Sequence, residues 1–230
     1  MKQELIQVAI DGPAGSGKTT VGQLVAQRLG IIYMSTGRIF RSYAFALQDV
    51  DCKNEEIVVR EMKQFKFEFK DGSFYINGLN VTVEIMKDVH SMNASTISKY
   101  PEVRKRYEED LKEIIKTTSL VMDGRDIGTV ILPDSPYKFF LDAKVEERAR
   151  RRAKDNGIKV GTKEFKDLLE QIKARDYQDT HRKVSPLKKA KDATYIDSTK
   201  MTKEEVVDFI VNTVNKKRDA FVVKNTPWKK

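Results

Sequence analysis

The sequence predicts an α/β fold in which a central parallel sheet is flanked by helices. The first observation behind this prediction is that short apolar runs alternate with longer segments of helical periodicity. The second is that most apolar runs end at a polar residue, as buried parallel strands do. The third is a glycine-rich loop that joins the first run to the first helical segment. Because ligands bind at the carboxyl ends of parallel strands, we expect the functional residues to lie along that edge.

The alternating segments define five strands and six helices. We predict strands at residues 7–11, 31–34, 120–123, 138–142 and 194–197. We predict helices at residues 18–29, 38–47, 101–117, 145–155, 163–182 and 202–214. The helix at 101–117 opens with a proline, which the first turn of a helix accepts.

Residues 65–82 interrupt this alternation. Their sequence, FKFEFKDGSFYINGLNVT, alternates aromatic and polar residues around turn signals at Asp71-Gly72 and Asn77-Gly78. This pattern predicts a small antiparallel meander inserted into the α/β chain. The aromatic side chains fit the core of a half-buried sheet better than a platform for stacking bases.

Length and composition restrict the class of protein. A chain of 230 residues predicts one domain. The single cysteine, Cys52, excludes an internal disulfide and a cysteine-based zinc site, and we expect it to be inert in a reducing cytoplasm. No apolar run approaches the roughly 18 residues of a membrane span and no signal segment precedes the first strand, so we expect no membrane association.

The chain is basic, with 43 Lys and Arg against 34 Asp and Glu. Such an excess favours anionic partners, which include nucleic acids and phosphorylated metabolites. Residues 148–191 contain 15 Lys and Arg against six Asp and Glu, so this one segment accounts for the excess. We therefore interpret the charge as local compensation for a charged substrate, with no nucleic-acid partner expected.

A phosphate-binding loop follows the first strand. Residues 12–19 read GPAGSGKT, which satisfies G-x-x-x-x-G-K-[ST] between a strand and an amphipathic helix. The loop amides and the helix N-terminus would bind phosphates, Lys18 would reach the β- and γ-phosphates, and Thr19 would hold Mg²⁺. The predicted ATP-binding residues are Gly12, Pro13, Ala14, Gly15, Ser16, Gly17, Lys18, Thr19 and Thr20. The loop alone leaves kinases, GTPases, motors and DNA-dependent ATPases open.

Charged residues recur near the same edge of the sheet. Arg41 lies one turn into the helix after the second strand, where it could bind a second phosphate or remain a solvated surface charge. The third strand runs into DGRDIGT at residues 123–129. Arg175, Asp179 and Arg182 share one helix face, which by itself also fits a salt-bridged surface. Several arginines beside a phosphate-binding loop suit phosphoryl transfer.

These motifs together resemble the bacterial-type cytidylate kinases, P-loop enzymes that transfer the γ-phosphoryl group of ATP to CMP or dCMP. The resemblance covers nearly the whole chain. It rests on IDGPAGSGKTT at 10–20, STGRIFR at 35–41, NGLNVT at 77–82, the block from MDGRDIGT to EERARRR at 122–152, and RDYQDTHRKVSPLKKAKDATYIDST at 175–199. It implies a P-loop kinase domain over residues 1–230, with an inserted acceptor-nucleotide (NMP-binding) subdomain at about 60–98 and a helical lid at about 150–165.

The resemblance also implies roles for individual residues. Catalysis would involve Lys18, Arg125 and Arg182, with Arg151 and Arg152 reaching the transferring phosphoryl group when the lid closes. Thr36, Arg41 and Arg125 would bind the acceptor phosphate, and a cluster further along the chain would lie near the ribose and that phosphate. The full set implied for CMP is Thr36, Arg41, Ser95, Arg104, Arg125, Asp126, Arg175, Asp179 and Arg182. Ser95, Arg104 and Asp126 would read cytosine, as a carboxylate accepts from its N4 amine.

Three positions depart from the family pattern. Ser35 stands where relatives usually have Asp, and Arg38 replaces a small residue, so the start of this helix is more positive. Met86 stands where relatives commonly carry Arg. We expect these changes to alter the acceptor pocket.

The expected reaction requires Mg²⁺ and no general base, since the acceptor is a phosphate oxygen that is already ionised at neutral pH. His90 and His181 are then ordinary polar residues. Two alternatives stay open, a preference for UMP and a nucleic-acid-binding P-loop ATPase. We expect a cytoplasmic monomer whose partners are ATP and CMP or dCMP.

Overall fold

A computed structural model describes residues 5–225 and contains two sheets. In chain order the strands are β1 (Gln7–Asp11), β2 (Ile32–Ser35), β3 (Phe67–Lys70), β4 (Ser73–Ile76), β5 (Leu79–Asn80), β6 (Leu120–Gly124), β7 (Tyr137–Asp142) and β8 (Thr194–Asp197). The five strands predicted for the central sheet are confirmed, three of them (β2, β6 and β7) with bounds shifted by one residue at one or both ends.

Eight α-helices accompany these strands in the described part of the chain. They are α1 (Lys18–Leu29), α2 (Thr36–Ala46), α3 (Glu55–Glu61), α4 (Asp88–Ile97), α5 (Pro101–Thr117), α6 (Val145–Asp155), α7 (Lys163–His181) and α8 (Lys203–Asn225). Short 3₁₀ turns at Met62–Gln64 and Glu84–Met86 and a π turn at Ile127–Ile131 complete the set.

Most helix predictions are confirmed and some bounds were wrong. The predicted bounds of α1, α5 and α6 agree with the structure. Helix α2 begins at Thr36 rather than 38, because Gly37 is accommodated in its first turn. Helix α8 was expected to end at 214 but continues to Asn225, since no glycine or proline interrupts it. Helices α3 and α4 were not predicted.

The central sheet is parallel and has the order β2-β6-β1-β7-β8. Asp11 at the end of β1 is paired with Gly124 at the end of β6, and Ser35 of β2 is paired with Asp123. Asp142 of β7 is likewise in register with Asp197 of β8. The polar ends of the strands therefore share one edge, as the sequence predicted.

Side chains alternate across this sheet and build a core on each face. Val8 and Ile10 point to the face covered by α1 and α8, while Ala9 points to the face covered by α2 and α5. The second core continues without interruption into the inserted sheet, whose strand order is β3-β4-β5. The antiparallel insert is confirmed, and Phe65, Phe67 and Phe74 are buried in that core.

Cys52, His90 and His181 are the residues for which the sequence predicted no role in the site. Cys52 is buried, and burial raises the pKa of its thiol, so the unreactive protonated form is favoured. His90 is buried against Phe45, and His181 stacks on Tyr177 at the surface. Within residues 5–225, no helix has the length and apolar character of a membrane span.

Candidate active site

The loop after β1 is shaped by glycines and curls around the amine of Lys18. A Cβ at Gly12, where φ is 154°, would lie 2.0 Å from the Leu141 carbonyl oxygen, so only glycine fits there. The buried Lys18 Nζ donates to the Pro13 carbonyl oxygen at 2.6 Å and to Ser16 Oγ at 3.2 Å. The amine thus lies inside the loop, at the N-terminus of α1.

The charge of Lys18 is poorly compensated in this site. Burial lowers the pKa of Lys18 well below its usual value, and the Arg125 guanidinium lowers it further. Asp123 opposes the shift. An anion bound in the loop would favour the charged amine in the same way, so the site has the electrostatics of a phosphate receptor.

Thr19, at the start of α1, faces the end of β6. Its hydroxyl donates to Asp123 Oδ2 at 3.1 Å, while the Tyr33 hydroxyl donates to Asp123 Oδ1 at 2.7 Å. Thr36 Oγ1 donates to the Asp123 main-chain carbonyl at 3.0 Å, which ties the start of α2 to the same strand end. A hydroxyl and a carboxylate beside a phosphate loop are hard oxygen donors suited to Mg²⁺. The loop motif predicts that Thr19 holds Mg²⁺, whereas no motif predicts this role for Asp123.

Asp11 connects the phosphate loop to the DGRDIGT segment. Its two carboxylate oxygens accept from the amides of Ile127 and Gly128, each at 2.8 Å. Burial raises the pKa of Asp11 from 3.8 to about 6, although both amide bonds lower it. These bonds hold the π turn that follows Asp126. The sequence alone had not indicated this role.

Asp126 lies between two of the predicted CMP residues. Its carboxylate forms a buried ion pair with Arg104 and a second ion pair with Arg182 at 3.5 Å. Arg104 is 2% exposed, and its guanidinium lies 5.8 Å from the ring centres of Phe40 and Tyr107. The cluster therefore combines charge pairing with an aromatic wall.

Ser185 supports the same two arginines. Arg182 Nε donates to its carbonyl oxygen at 2.6 Å, and Arg104 Nε donates to its hydroxyl at 3.2 Å. Its φ of 48° is an unusual backbone conformation for a non-glycine residue. No motif at this position suggested a role in advance.

A second group of arginines lies beside this cluster. Arg125 Nε donates to Asp179 Oδ2 at 2.6 Å, which joins the β6 edge to α7. Desolvation by the surrounding protein lowers the pKa of Arg175, and the positive charges of Arg125, Arg41 and Arg152 lower it further. An arginine stays protonated under these conditions, so the group presents concentrated positive charge at the cleft.

Arg41 on α2 faces the inserted segment, and Ser95 lies within that segment. Arg41 donates to the Met86 carbonyl oxygen at 3.3 Å and to Ser91 Oγ at 3.1 Å, and so connects α2 with α4. Ser95 lies exposed on α4, and among the described residues no side-chain hydrogen bond joins it to Arg104 or Asp126. The predicted acceptor residues are thus brought together except for Ser95.

The two predicted lid arginines point to different neighbours. Arg151 donates to the Ser198 carbonyl oxygen at 2.6 Å and lies 3.5 Å from Glu147. It would have to leave Ser198 to reach a phosphoryl group. Arg152 is exposed and close enough to Arg175 to affect its pKa.

Comparisons with known proteins indicate the family to which this chain belongs. The family model described as cytidylate kinase matches residues 8–216. A cytidylate kinase of Thermosipho melanesiensis is 43% identical over 92% of this chain and 97% of its own length. One from Lactiplantibacillus plantarum is 40% identical over 96% of this chain and 100% of its own length.

Among solved structures, an uncharacterized protein from Eubacterium ventriosum superposes with a TM-score of 0.50 at 16% identity. The match covers 93% of this chain and 99% of that chain, and it supports the fold alone. The family model covers most of the chain, and both cytidylate kinases are covered over nearly their whole length. The chain belongs to the cytidylate kinase family.

Proposed function

We propose that this chain transfers the γ-phosphoryl group of Mg-ATP to CMP and dCMP, giving ADP and CDP or dCDP. The observation that carries the proposal is the paired arrangement of a phosphate loop and an arginine-rich acceptor cluster at one sheet edge, joined by Asp11. The names of its relatives support the acceptor. The proposed reaction requires no general base, because the acceptor phosphate is already ionised.

Each group of residues has a defined part in the reaction. Residues 12–20 would hold the ATP phosphates, and Lys18 would neutralise charge on the transferring group. Thr19 and Asp123 would hold Mg²⁺, which supplies charge neutralisation between the phosphates when bound. Arg125, Arg175 and Arg182 would orient the acceptor phosphate, and Arg152 would approach it as the lid at 150–165 closes.

Cytosine would be recognised by the Asp126 cluster. In this proposal a carboxylate oxygen of Asp126 accepts from the N4 amine, while Arg104 supplies donors to the acceptor atoms of the ring. Ser95 would join them when α4 moves toward the cleft. A uracil ring has an acceptor where cytosine has the amine, so a carboxylate oxygen of Asp126 that accepts from this amine disfavours UMP.

A comparison of acceptors tests the proposal. ADP release is measured with Mg-ATP and CMP, dCMP, UMP, AMP or GMP in turn, and again with Mg²⁺ removed by a chelator. We expect kcat/KM for CMP or dCMP to exceed that for UMP by about tenfold or more, because the N4 contact is lost. Negligible turnover of all five acceptors would overturn the kinase proposal, and a UMP preference would overturn the assignment of Asp126.

We further propose a cytoplasmic monomer. The support is the single buried cysteine, which suits a reducing compartment, and the fact that one chain supplies both halves of the cleft. Sedimentation of the active enzyme at micromolar concentration tests the oligomeric state.

A further inference from the structure

Asp176 on α7 connects that helix to the phosphate loop. Its Oδ1 accepts from the Ala14 amide at 3.0 Å, and its Oδ2 accepts from Arg148 Nη1 at 2.6 Å. The same nitrogen of Arg148 donates to the Ala14 carbonyl oxygen at 2.7 Å. Both polar groups of the Ala14 main chain are therefore bound by this pair of side chains.

Arg148 is built into the base of α6. Its Nε donates to the Ala143 carbonyl oxygen at 2.9 Å, and its side chain is 7% exposed. A Cβ at Gly15 would lie 3.3 Å from Arg148 Cβ, so the loop packs closely on this helix. The loop, α6 and α7 thus meet at one ion pair, in which Arg148 is buried and Asp176 is 20% exposed.

The turns of α7 beyond Asp176 reach the acceptor side. Asp179 pairs with Arg125 at 2.6 Å, and Arg182 pairs with Asp126 at 3.5 Å. Arg175, the neighbour of Asp176 in sequence, lies in the arginine group of the cleft. Helix α7 therefore carries a contact to the ATP loop together with Arg175 and Asp179, and Arg182 follows directly as its C-terminal cap.

We propose that Asp176 is a positioning residue that couples the two nucleotide sites. Phosphates bound in the loop would fix the Ala14 main chain, which fixes Asp176 and therefore orders Arg175, Asp179 and Arg182 for the acceptor. An acceptor that meets ordered partners loses less conformational freedom on binding, so each nucleotide strengthens the binding of the other. This inference rests on the proposed function and assigns it a route of communication.

The substitution Asp176→Asn tests this coupling with little change of shape. The amide oxygen can still accept from Ala14, whereas its NH₂ group cannot accept from Arg148, so the pair is broken. Asp167→Asn is the matched control, because Asp167 is an exposed carboxylate on the same helix. The Kd of CMP is measured by calorimetry with and without the Mg complex of β,γ-imido-ATP.

We expect the ATP analogue to tighten CMP binding about fivefold or more in the unmodified enzyme and in Asp167→Asn. In Asp176→Asn this ratio should fall below about twofold, while the Kd of CMP alone stays nearly unchanged. A purely structural role would lower the melting temperature and leave the ratio intact. An unchanged ratio in Asp176→Asn, or no coupling in the unmodified enzyme, would overturn the inference.

Failure of nucleotide binding and failure of folding can each be distinguished from loss of coupling. Failure of either nucleotide to bind the unmodified enzyme would contradict the proposed function rather than this inference alone. If Asp176→Asn does not fold, the double variant Arg148→Gln/Asp176→Asn removes the unpaired buried charge and replaces the ion pair with a neutral hydrogen bond. Retention of the full coupling ratio in that variant would also overturn the inference.

Discussion

At the scale of single residues, the proposed acceptor site depends on side chains that hold one another in place. Arg182 illustrates this, because it contacts Asp126 and the carbonyl oxygen of Ser185 at the same time. Its side chain is 13% exposed, so little water competes for those bonds. A guanidinium held this way is preorganised for a phosphate and needs little rearrangement during the reaction.

Replacing Arg182 by alanine should therefore damage turnover far more than folding. We expect kcat/KM for CMP to fall by about 100-fold or more, the usual effect of removing one preorganised group that stabilises transition-state charge. Steady-state kinetics with a far-UV circular dichroism check is the measurement. Lys183→Ala, an exposed neighbour, is the control and should keep near-normal kinetics. Equal kinetics in the two variants would remove Arg182 from the site.

The raised pKa of Asp11 predicts a pH-dependent contribution to stability. Its pKa is raised from 3.8 to about 6, chiefly by burial, so folding favours the protonated form. The contribution is fully present below about pH 4, the unfolded value, and is lost as the pH rises through 6. The shift corresponds to about 3 kcal/mol between these limits.

Chemical denaturation of the unmodified protein and Asp11→Asn from pH 4 to 7.5 measures this effect. The unfolding free energy of the unmodified protein minus that of the variant should decrease by about 3 kcal/mol over this range. Asp134→Asn removes an exposed carboxylate and should show no such trend. A pH-independent difference for Asp11→Asn would contradict the raised pKa.

At the scale of elements, the sequence predicted what local patterns encode and missed what tertiary packing creates. Helix α4 reads DVHSMNASTI, which is rich in residues of poor helix propensity, and it forms because it packs on α2. Helix α3 has only seven residues. By contrast α5 combines an N-terminal proline, a strong amphipathic pattern and 17 residues, and its predicted bounds were correct.

The inserted sheet is a further element whose stability comes from shared packing. Phe74 on β4 is 1% exposed and contacts Phe67 and Phe69, within a core that also includes Tyr43 of α2. The insert therefore cannot lose this core without disturbing α2, which carries Thr36 and Arg41.

Phe74→Ala should lower the unfolding free energy by about 3–5 kcal/mol, because it removes a fully buried ring and leaves a cavity. We also expect a raised KM for CMP as α2 loosens. Urea denaturation and kinetics measure the two effects. Leu79→Ala on the exposed β5 of the same sheet is the control, and its effect should stay within about 0.5 kcal/mol. Similar losses in both variants would show that the insert has no cooperative core.

At the scale of the whole molecule, the site is assembled from segments far apart in the chain. Motifs predicted the loop residues and the proposed acceptor residues, since these side chains fall at strand ends or on one helix face. They could not identify Asp11, Asp176 or Ser185 as supports. Asp11 bonds to Ile127 across 116 positions, and Ala14 bonds to Asp176 across 162, so no local pattern encodes either contact.

The distribution of charge over the molecule does not favour a nucleic-acid-binding surface. The excess of positive charge lies in residues 148–191, the segment that contains α7 and most of α6. In the structure, Arg148, Arg151 and Arg182 from this segment point inward to carboxylates or main-chain carbonyls. A nucleic-acid-binding surface would require such groups on an open face with interleaved aromatic residues.

We therefore expect no specific nucleic-acid binding. A labelled 20-nucleotide RNA and a 20-base-pair DNA duplex, titrated at 150 mM salt and followed by fluorescence anisotropy, should give Kd values no tighter than about 10 μM, the range of nonspecific electrostatic binding. ATP hydrolysis without an acceptor nucleotide should be the same with and without either nucleic acid. Tight, salt-dependent binding together with stimulated hydrolysis would favour the ATPase alternative, because the exposed lysines of 148–191 would then contact phosphates outside the cleft.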